Sequence, residues 1–253
     1  MDPRAAVEHF HLQFLRLLCA GPDKADDAIK GDCNLRFFFG SVRCSEDLDL
    51  DVARVPVRTL KGRVDKLLGS PALELPLRAR GIRIGASSAP KQTETTQRWK
   101  LALALDGERV ERHTKVEFSR REGTAEATFD AIDPGFALQH GLQPIALPHD
   151  PLPVAIRQKV LALVGRAAVQ ARDVFDLSVL LARGVDAAGA LADPSLPLEA
   201  AVERAMELSY DDYAGQVVAY LASEHADMLG TRASWDALQL QVVDALGRAR
   251  GGP

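Results

Sequence analysis

The sequence predicts an α+β fold in two regions, a mixed β-sheet followed by a helical region. Period-two alternation of apolar residues dominates from about 80 to 130, prolines cluster at 144–153, and helical periodicity dominates beyond that cluster. The 253 residues, 47% of them hydrophobic and 26% charged, suffice for one large or two small globular domains. We therefore predict a core domain at residues 1–148 and a helical domain at 149–253.

The first region starts with an amphipathic helix and continues into strands. Phe10, Phe14 and Leu17 recur at helical spacing, and Gly21-Pro22 ends that helix. Charged and apolar residues alternate over 48–52, which indicates a strand. The predicted elements are a helix at 4–20, a short apolar piece at 28–29, helices at 33–39 and 59–68, a strand at 48–52, and long strands between about 80 and 130.

The second region is predicted to be helical throughout. Asp150-Pro151 is a favourable N-cap and N1 pair for a helix that runs to about 165. The proline cluster before it marks the domain boundary. Further helices are predicted at about 170–183, 197–208, 212–228 and 232–249.

Composition excludes several classes of protein. The net charge of −4 excludes a general polyanion binder, so any contact with nucleic acid has to come from a local basic patch. Cys19, Cys33 and Cys44 form no Cys-x-x-Cys pair, which argues against a disulfide framework and a zinc site and fits a reducing cytoplasm. Glu8 and Arg16 interrupt the apolar N-terminal stretch, which makes it a poor signal peptide. No run of 18 apolar residues exists, which argues against a membrane span. We expect a cytoplasmic protein without a membrane span.

The most informative segment is acidic. Asp47, Asp49 and Asp51 alternate with Leu48 and Leu50, which places the three carboxylates on one face of a strand. Carboxylates at this spacing can converge on a hard cation such as Mg²⁺. An edge strand with a solvated acidic face fits the same spacing, so the spacing alone leaves both interpretations open.

A glycine lies upstream of this segment. Gly31 follows a short apolar piece and precedes a predicted helix, where backbone N–H groups can approach a phosphate. A glycine turn followed by Asp-x-Asp resembles the polymerase-beta-type nucleotidyltransferase superfamily. The resemblance implies a third carboxylate on a later strand, and Glu117 fits that position. A surface glutamate is the alternative interpretation.

Further motifs narrow the resemblance. The motifs are Lys30-Gly31 through Leu35-Arg36 with Arg43-x-Ser45-x-Asp47-Leu48-Asp49-Leu50, then Lys115-Val116-Glu117-Phe118, then Lys159, then Arg172-Asp173-Val174-Phe175-Asp176-Leu177. The order of these motifs resembles that of the AbiEii family of bacterial toxin nucleotidyltransferases, which includes the MenT-type toxins of mycobacteria. One departure is Gly31-Asp32-Cys33, where the family usually has Gly-Gly-Thr.

The resemblance implies transfer of a nucleoside monophosphate from an NTP to an acceptor. It implies an RNA acceptor, specifically the 3′ end of tRNA, and action as the toxin of a toxin–antitoxin pair with a cognate antitoxin protein. The cofactor would be Mg²⁺ or Mn²⁺. The implied residues are Asp47, Asp49 and Glu117 as metal ligands, these three with Lys159, Asp173 and Asp176 in catalysis, and Lys30, Gly31, Arg36, Ser45 and Lys159 in nucleotide binding.

Simpler interpretations stay open. Arg172 and Asp176 stand four apart and could pair on a helix surface, and Lys159 could be a solvated lysine. Asp32 would repel a triphosphate unless a cation lies nearby. The alternatives for the whole chain are a non-toxic nucleotidyltransferase that modifies a small molecule or a protein, and a catalytically degenerate binding module.

Overall fold

The computed structural model describes residues 2–20, 27–120, 127–184 and 189–250. The chain forms two compact units, Met1–Phe38 with Cys44–Asp150, and Phe39–Arg43 with Pro151–Pro253. The first unit contains the sheet and the second is helical, which confirms the predicted α+β class. The short segment Phe39–Arg43 belongs to the second unit, although the sequence on both sides of it belongs to the first. A division of the chain into two continuous domains does not include this feature.

The first unit alternates helices and strands. α4 and β7 are absent from the prediction, because Pro71 and Pro76 in α4 and Pro148 in β7 look like structure breakers in a sequence. Its elements are α1 (Pro3–Leu18), β1 (Asp27–Lys30), α2 (Gly31–Phe38), β2 (Leu48–Val52), α3 (Val57–Leu68), α4 (Pro71–Arg78), β3 (Ile82–Gln92), β4 (Thr96–Leu105), β5 (Arg112–Ser119), β6 (Thr128–Ala131), α5 (Pro134–Gln139) and β7 (Ala146–His149).

The strands of the described residues form one mixed sheet in the order β3-β4-β5-β2-β1-β7-β6. β2 lies in the middle, antiparallel to β1 and parallel to β5. The alternative that the acidic segment is an edge strand is therefore wrong. Central position explains the burial of Leu48, Leu50 and Val52, which face the core as strand alternation requires.

The core of the first unit lies on the same face of the sheet as Leu50. Its register partners Ile29 and Phe118 are fully buried there. α1 contributes Phe10 and Phe14, also fully buried, to the same hydrophobic cluster. Because successive side chains of a strand alternate, the neighbours of these apolar residues point to the opposite face. That opposite face carries the candidate site.

The second unit is built from helices of moderate length. The helix predicted at 212–228 is wrong as one element, because the chain leaves α9 at Val217 and passes through a 3₁₀ turn. Asp150 is not the N-cap of α6: that position is Pro151, and the Asp150 N–H donates to Ile29 O. The elements are α6 (Leu152–Gly165), α7 (Ala171–Leu181), α8 (Leu198–Met206), α9 (Tyr210–Gln216), the 3₁₀ helix (Val218–Tyr220), α10 (Ser223–Leu229) and α11 (Arg232–Arg250). No described helix combines the length and apolar character needed to cross a bilayer.

Candidate active site

Four charged side chains lie in one row across neighbouring strands. The sheet register places Lys30 beside Asp49, Asp49 beside Glu117, and Glu117 beside Arg98. Register partners project from the same face, and adjacent strands are about 4.8 Å apart. Two carboxylates therefore adjoin at the centre of the sheet with a cation on either side. We call Lys30, Asp49, Glu117 and Arg98 the charged row.

Asp47 lies next to the charged row, just before β2 begins. Its Oδ1 accepts a hydrogen bond from the Lys115 backbone N–H at 3.1 Å, and its Oδ2 lies 3.0 Å from Lys115 Nζ. The same ammonium is 3.7 Å from Asp49 Oδ1. Asp47, Asp49 and Glu117 thus share one face of the sheet, with Lys115 between the first two.

The electrostatics of this face follow from crowding. Burial raises the pKa of the Asp49 carboxyl, the neighbouring Glu117 and Asp47 raise it further, and Lys115 acts in the opposite direction. Burial alone would lower the pKa of Lys115, but the carboxylates of Asp49 and Asp47 outweigh it and raise the pKa. The charged form of Asp49 is therefore disfavoured here, and a further cation at this face would favour it.

The donor set fits a divalent metal by its chemistry. Carboxylate oxygens are the ligands that Mg²⁺ and Mn²⁺ prefer. Within the described parts of the chain, no three His, Cys, Asp or Glu side chains are grouped to hold a metal ion. The carboxylates are engaged by cationic side chains instead, with Arg98 Nε 2.5 Å from Glu117 Oε2 and Lys115 on Asp47. Lys115 and Arg98 would have to turn away for all three carboxylates to reach one metal.

The glycine turn lies directly against Asp49. Gly31 has φ +63°, a value that favours glycine, and a Cβ at this position would lie 3.5 Å from Asp49 Oδ2. α2 begins at Gly31, so the start of this helix adjoins the charged row. Asp32 lies in the first turn of α2, where the helix dipole favours a carboxylate. The ammonium of Lys30 is ion-paired with Asp51.

A buried hydrogen-bond network holds the segment that carries Asp47. Ser45 Oγ donates to the Asp47 carbonyl at 2.8 Å. The Cys33 thiol lies 3.3 Å from Ser45 Oγ and 3.2 Å from the same carbonyl. Burial raises the pKa of the Cys33 thiol well above its usual range, so it remains a protonated donor. Ser45 is 2% exposed and turned toward the backbone.

His11 supports the same segment from α1, a role that sequence reasoning did not assign. Thr114 Oγ1 donates to the Glu46 carbonyl at 2.7 Å, so it can only accept from His11 Nε2, which is 2.8 Å away. Complete burial lowers the pKa of His11 to about 4, which keeps the ring neutral with its proton on Nε2. The signal in the sequence was a polar residue inside the apolar face of a helix.

Arg36 is ion-paired with Glu8 and not with a carboxylate of the charged row. Its Nε is 2.8 Å from Glu8 Oε1, and its guanidinium lies over the Phe136 ring at 4.8 Å from the ring centroid. Glu8 is itself 1% exposed, so this ion pair ties α1 to α2 inside the first unit. A contact of Arg36 with a nucleotide stays a prediction, and it would require the side chain to leave Glu8.

The second unit contains a different ionic cluster, buried where α6 meets α7. Lys159 Nζ lies 2.5 Å from Asp176 Oδ2 and 3.8 Å from Asp173 Oδ1. Arg43 Nη2 is 3.1 Å from Asp176 Oδ2, and Arg166 Nε is 2.7 Å from Asp173 Oδ2. Both aspartate side chains are 0% exposed. We call these five residues the buried cluster.

The buried cluster excludes two simpler interpretations. Asp176 is not paired with Arg172 on a helix surface, because it is fully buried and bonded to Lys159 and Arg43. Lys159 is not solvated, since it is 8% exposed. The catalytic roles of Lys159, Asp173 and Asp176 stay predictions. Sequence reasoning gave no role to Arg43, which is separated from Asp176 by 133 residues.

Known proteins are similar to this chain over most of its length. The profile of the nucleotidyl transferase AbiEii toxin family, type IV toxin–antitoxin system, matches residues 16–246. JHP933 from Helicobacter pylori has a similar structure, with a TM-score of 0.61 and 20% identity over 99% of this chain and 96% of that one. A second structure, of a putative nucleotidyltransferase from Helicobacter pylori, gives a TM-score of 0.62 and 22% identity over 98% of each chain.

A third similar structure is MenT4, a nucleotidyltransferase toxin from Mycobacterium tuberculosis. Its TM-score is 0.54 and its identity 20%, covering 96% of this chain and 82% of that one. Identities at this level show a shared fold alone. No curated protein matches this chain significantly.

The family match extends over both units and includes the motifs on which the resemblance was based. The predicted resemblance is thereby confirmed, and the chain is a nucleotidyltransferase whose family implies an NTP substrate and an antitoxin partner. This chain belongs to the AbiEii family of nucleotidyl transferase toxins of type IV toxin–antitoxin systems.

Proposed function

We propose that this protein transfers a nucleoside monophosphate from an NTP to the 3′ end of tRNA, in a metal-dependent reaction that blocks translation. The observation that carries the proposal is the charged row. Asp49 and Glu117 adjoin in register at the centre of the sheet, Asp47 lies on the same face, and Gly31 adjoins Asp49. The resemblance to the family supplies the tRNA acceptor.

Asp47 and Asp49, with Glu117, would hold Mg²⁺ or Mn²⁺. When bound, the cation supplies charge neutralisation and alignment for attack at the α-phosphate. The acceptor hydroxyl oxygen forms a bond to the α-phosphorus while the bond to the bridging oxygen breaks and pyrophosphate leaves. Glu117, which lies on β5 beside Asp49 and is 18% exposed, would accept the hydroxyl proton.

The surrounding residues bind and position. The backbone at Gly31 and the ammonium of Lys30 contact the phosphates in this proposal. Gly31 lies against Asp49, and Lys30 is the register partner of Asp49. Ser45 acts through Asp47, since its hydroxyl is already donated to the Asp47 carbonyl. This proposal differs from the direct nucleotide-binding role that the resemblance implies for Ser45.

Lys159 serves the same reaction in this proposal, as the resemblance implies, by countering charge on the leaving phosphates. Asp176 and Asp173 orient its ammonium, which they contact at 2.5 and 3.8 Å. Replacing Lys159 with alanine should lower the rate of transfer by roughly 10²–10³, the loss expected for one charge-stabilising donor. Transfer by folded Lys159→Ala at the wild-type rate would exclude this role.

The test incubates the purified protein with each NTP labelled at the α-phosphate, Mg²⁺ and total RNA. We expect label in tRNA from at least one NTP, and none with EDTA. Asp47→Asn removes a charge needed for the metal and should abolish transfer. Asp106→Asn, the same change at a 68% exposed carboxylate, should keep the wild-type rate.

The outcomes distinguish the alternatives. Label in a small molecule or a protein instead of RNA would identify a non-toxic nucleotidyltransferase on this fold. No label from any NTP, with the chain folded, would favour a degenerate binding module. Growth arrest on expression that depends on Asp47 would support the toxin role.

A further inference from the structure

The face that carries the charged row continues across β5, β4 and β3 to the edge of the sheet, and it is basic. Lys115 is the register partner of Lys100 on β4, and Arg98 is the partner of Lys91 on β3. His113 lies on the same face, opposite Ala102. We call Lys91, Arg98, Lys100, His113 and Lys115 the basic face.

The outer part of the basic face is open to solvent. Lys91, Lys100 and His113 are exposed. Between the described residues, neither Lys91 nor Lys100 takes part in an ion pair. The opposite face of the same strands is core, with Trp99 and Leu101 buried.

Small residues separate the cations of the basic face. Ala102 and Ser88 are the neighbours of Lys100 along β4 and across to β3. Ala102 is 6% exposed, whereas Ser88 is open to solvent, so the part of the surface toward β3 is accessible to an extended chain. The exposed ring of His113 adds a planar group on which a base can stack.

Charge indicates what such a surface binds. The whole chain carries a net charge of −4, so Lys91 and Lys100, which form no ion pair among the described residues, are a local feature that favours a polyanion. The basic face leads directly to the charged row through Lys115 and Arg98. A nucleotidyl transfer to RNA requires the acceptor's terminal hydroxyl at that row and its phosphates alongside.

We propose that the basic face binds the phosphate backbone of the single-stranded 3′ end of the acceptor RNA. Lys91 and Lys100 contact phosphates, and the strand runs over β4 and β5 toward Asp49. The direction of the strand rests on the proposed function, because it places the terminal hydroxyl at the charged row. The binding surface itself rests on exposure, charge and register.

The experiment measures binding of a fluorescent single-stranded RNA to the full chain by anisotropy, without NTP, over a series of salt concentrations. The test variant is Lys91→Glu with Lys100→Glu. The control is Arg58→Glu with Lys66→Glu, which makes the same charge change at exposed positions of α3. Unfolding by urea checks that both variants are folded.

We expect the test variant to bind roughly tenfold more weakly and the slope of log K against log salt to fall by about 1.4, since each lost phosphate contact of a single strand contributes about 0.7. The control should stay within about twofold of wild type, because its positions lie outside the basic face.

Three results would overturn the proposal: equal weakening in both variants, no RNA binding by the wild type, or competition by polyglutamate as effective as by RNA, which would favour an acidic protein partner. Failure of the proposed function is separable. A wild type that binds RNA through Lys91 and Lys100 but transfers no label from any NTP contradicts the function and supports the surface.

Discussion

The two units use the same residue types in opposite surroundings. In the first unit, the Asp47 and Asp49 side chains are 42% and 35% exposed, and Lys115 contacts both. In the second unit, Asp173 and Asp176 are fully buried, and the Lys159 ammonium contacts both. Partly exposed carboxylates can exchange their cation for a ligand, whereas fully buried ones require their partners to avoid an uncompensated charge.

This difference assigns different roles to similar pairs. The pKa of Asp49 is raised by burial and by Glu117, against the effect of Lys115, so ionisation of Asp49 lowers the stability of the fold. Asp176 holds Lys159 and Arg43, and its charge is needed by the interior. We expect the same substitution to have opposite effects in the two units.

The largest expected effect comes from Asp176→Asn. Loss of this charge leaves Lys159 and Arg43 buried without their shared carboxylate and should lower the free energy of unfolding by about 3–5 kcal/mol. Asp49→Asn relieves crowding and should leave that free energy equal or higher. Urea unfolding of both variants measures this, and equal losses would show that the comparison is wrong.

A fall in pH should lower the free energy of unfolding of the protein through His11 in the first unit. His11 has its folded pKa lowered to about 4 from 6.5, so its contribution to stability is complete above 6.5 and is lost as pH falls toward 4. A shift of this size corresponds to roughly 3 kcal/mol over that interval. Unfolding at pH 7 and pH 5 should show about 2 kcal/mol of this loss in the wild type and a smaller loss in His11→Gln. Equal pH dependence in the two would count against the buried neutral ring.

The smallest effect concerns two buried serines. Ser45→Ala and Ser178→Ala each remove one hydrogen bond to a nearby carbonyl, at 2.8 Å and 2.7 Å, and should each cost about 1 kcal/mol of stability. Only Ser45→Ala should also slow label transfer at saturating NTP, because Ser45 holds the Asp47 backbone. Equal transfer rates for the two variants would exclude a role of Ser45 in positioning Asp47 for transfer.

Much of the first unit could be predicted from local pattern. The strand at 48–52 was predicted at its observed bounds, since alternation of Leu and Asp is a strong period-two signal. Prolines concealed α4 and β7, because a proline at a helix start or in a strand near the sheet edge looks like a breaker. Local propensity cannot show whether the surrounding helix or sheet tolerates a proline at a given position.

The cationic partners of the carboxylates could not be predicted in either unit. Arg98 meets Glu117 only through the antiparallel register of β4 and β5, and Arg43 meets Asp176 across 133 residues. Neither pairing has a periodicity in the sequence. Lys115 is different, because its position two residues from Glu117 places both side chains on one face of a strand, which is a signal present in the sequence.

The central claim is that the accessible carboxylates of the first unit perform the chemistry. Its most direct test is label transfer from an α-labelled NTP to RNA by Asp49→Asn, beside the wild type and Asp106→Asn, with urea unfolding of each. We predict that Asp49→Asn loses transfer by at least about 10³ while its unfolding free energy stays equal or rises, and that Asp106→Asn matches the wild type. Transfer by folded Asp49→Asn at the wild-type rate would contradict the claim.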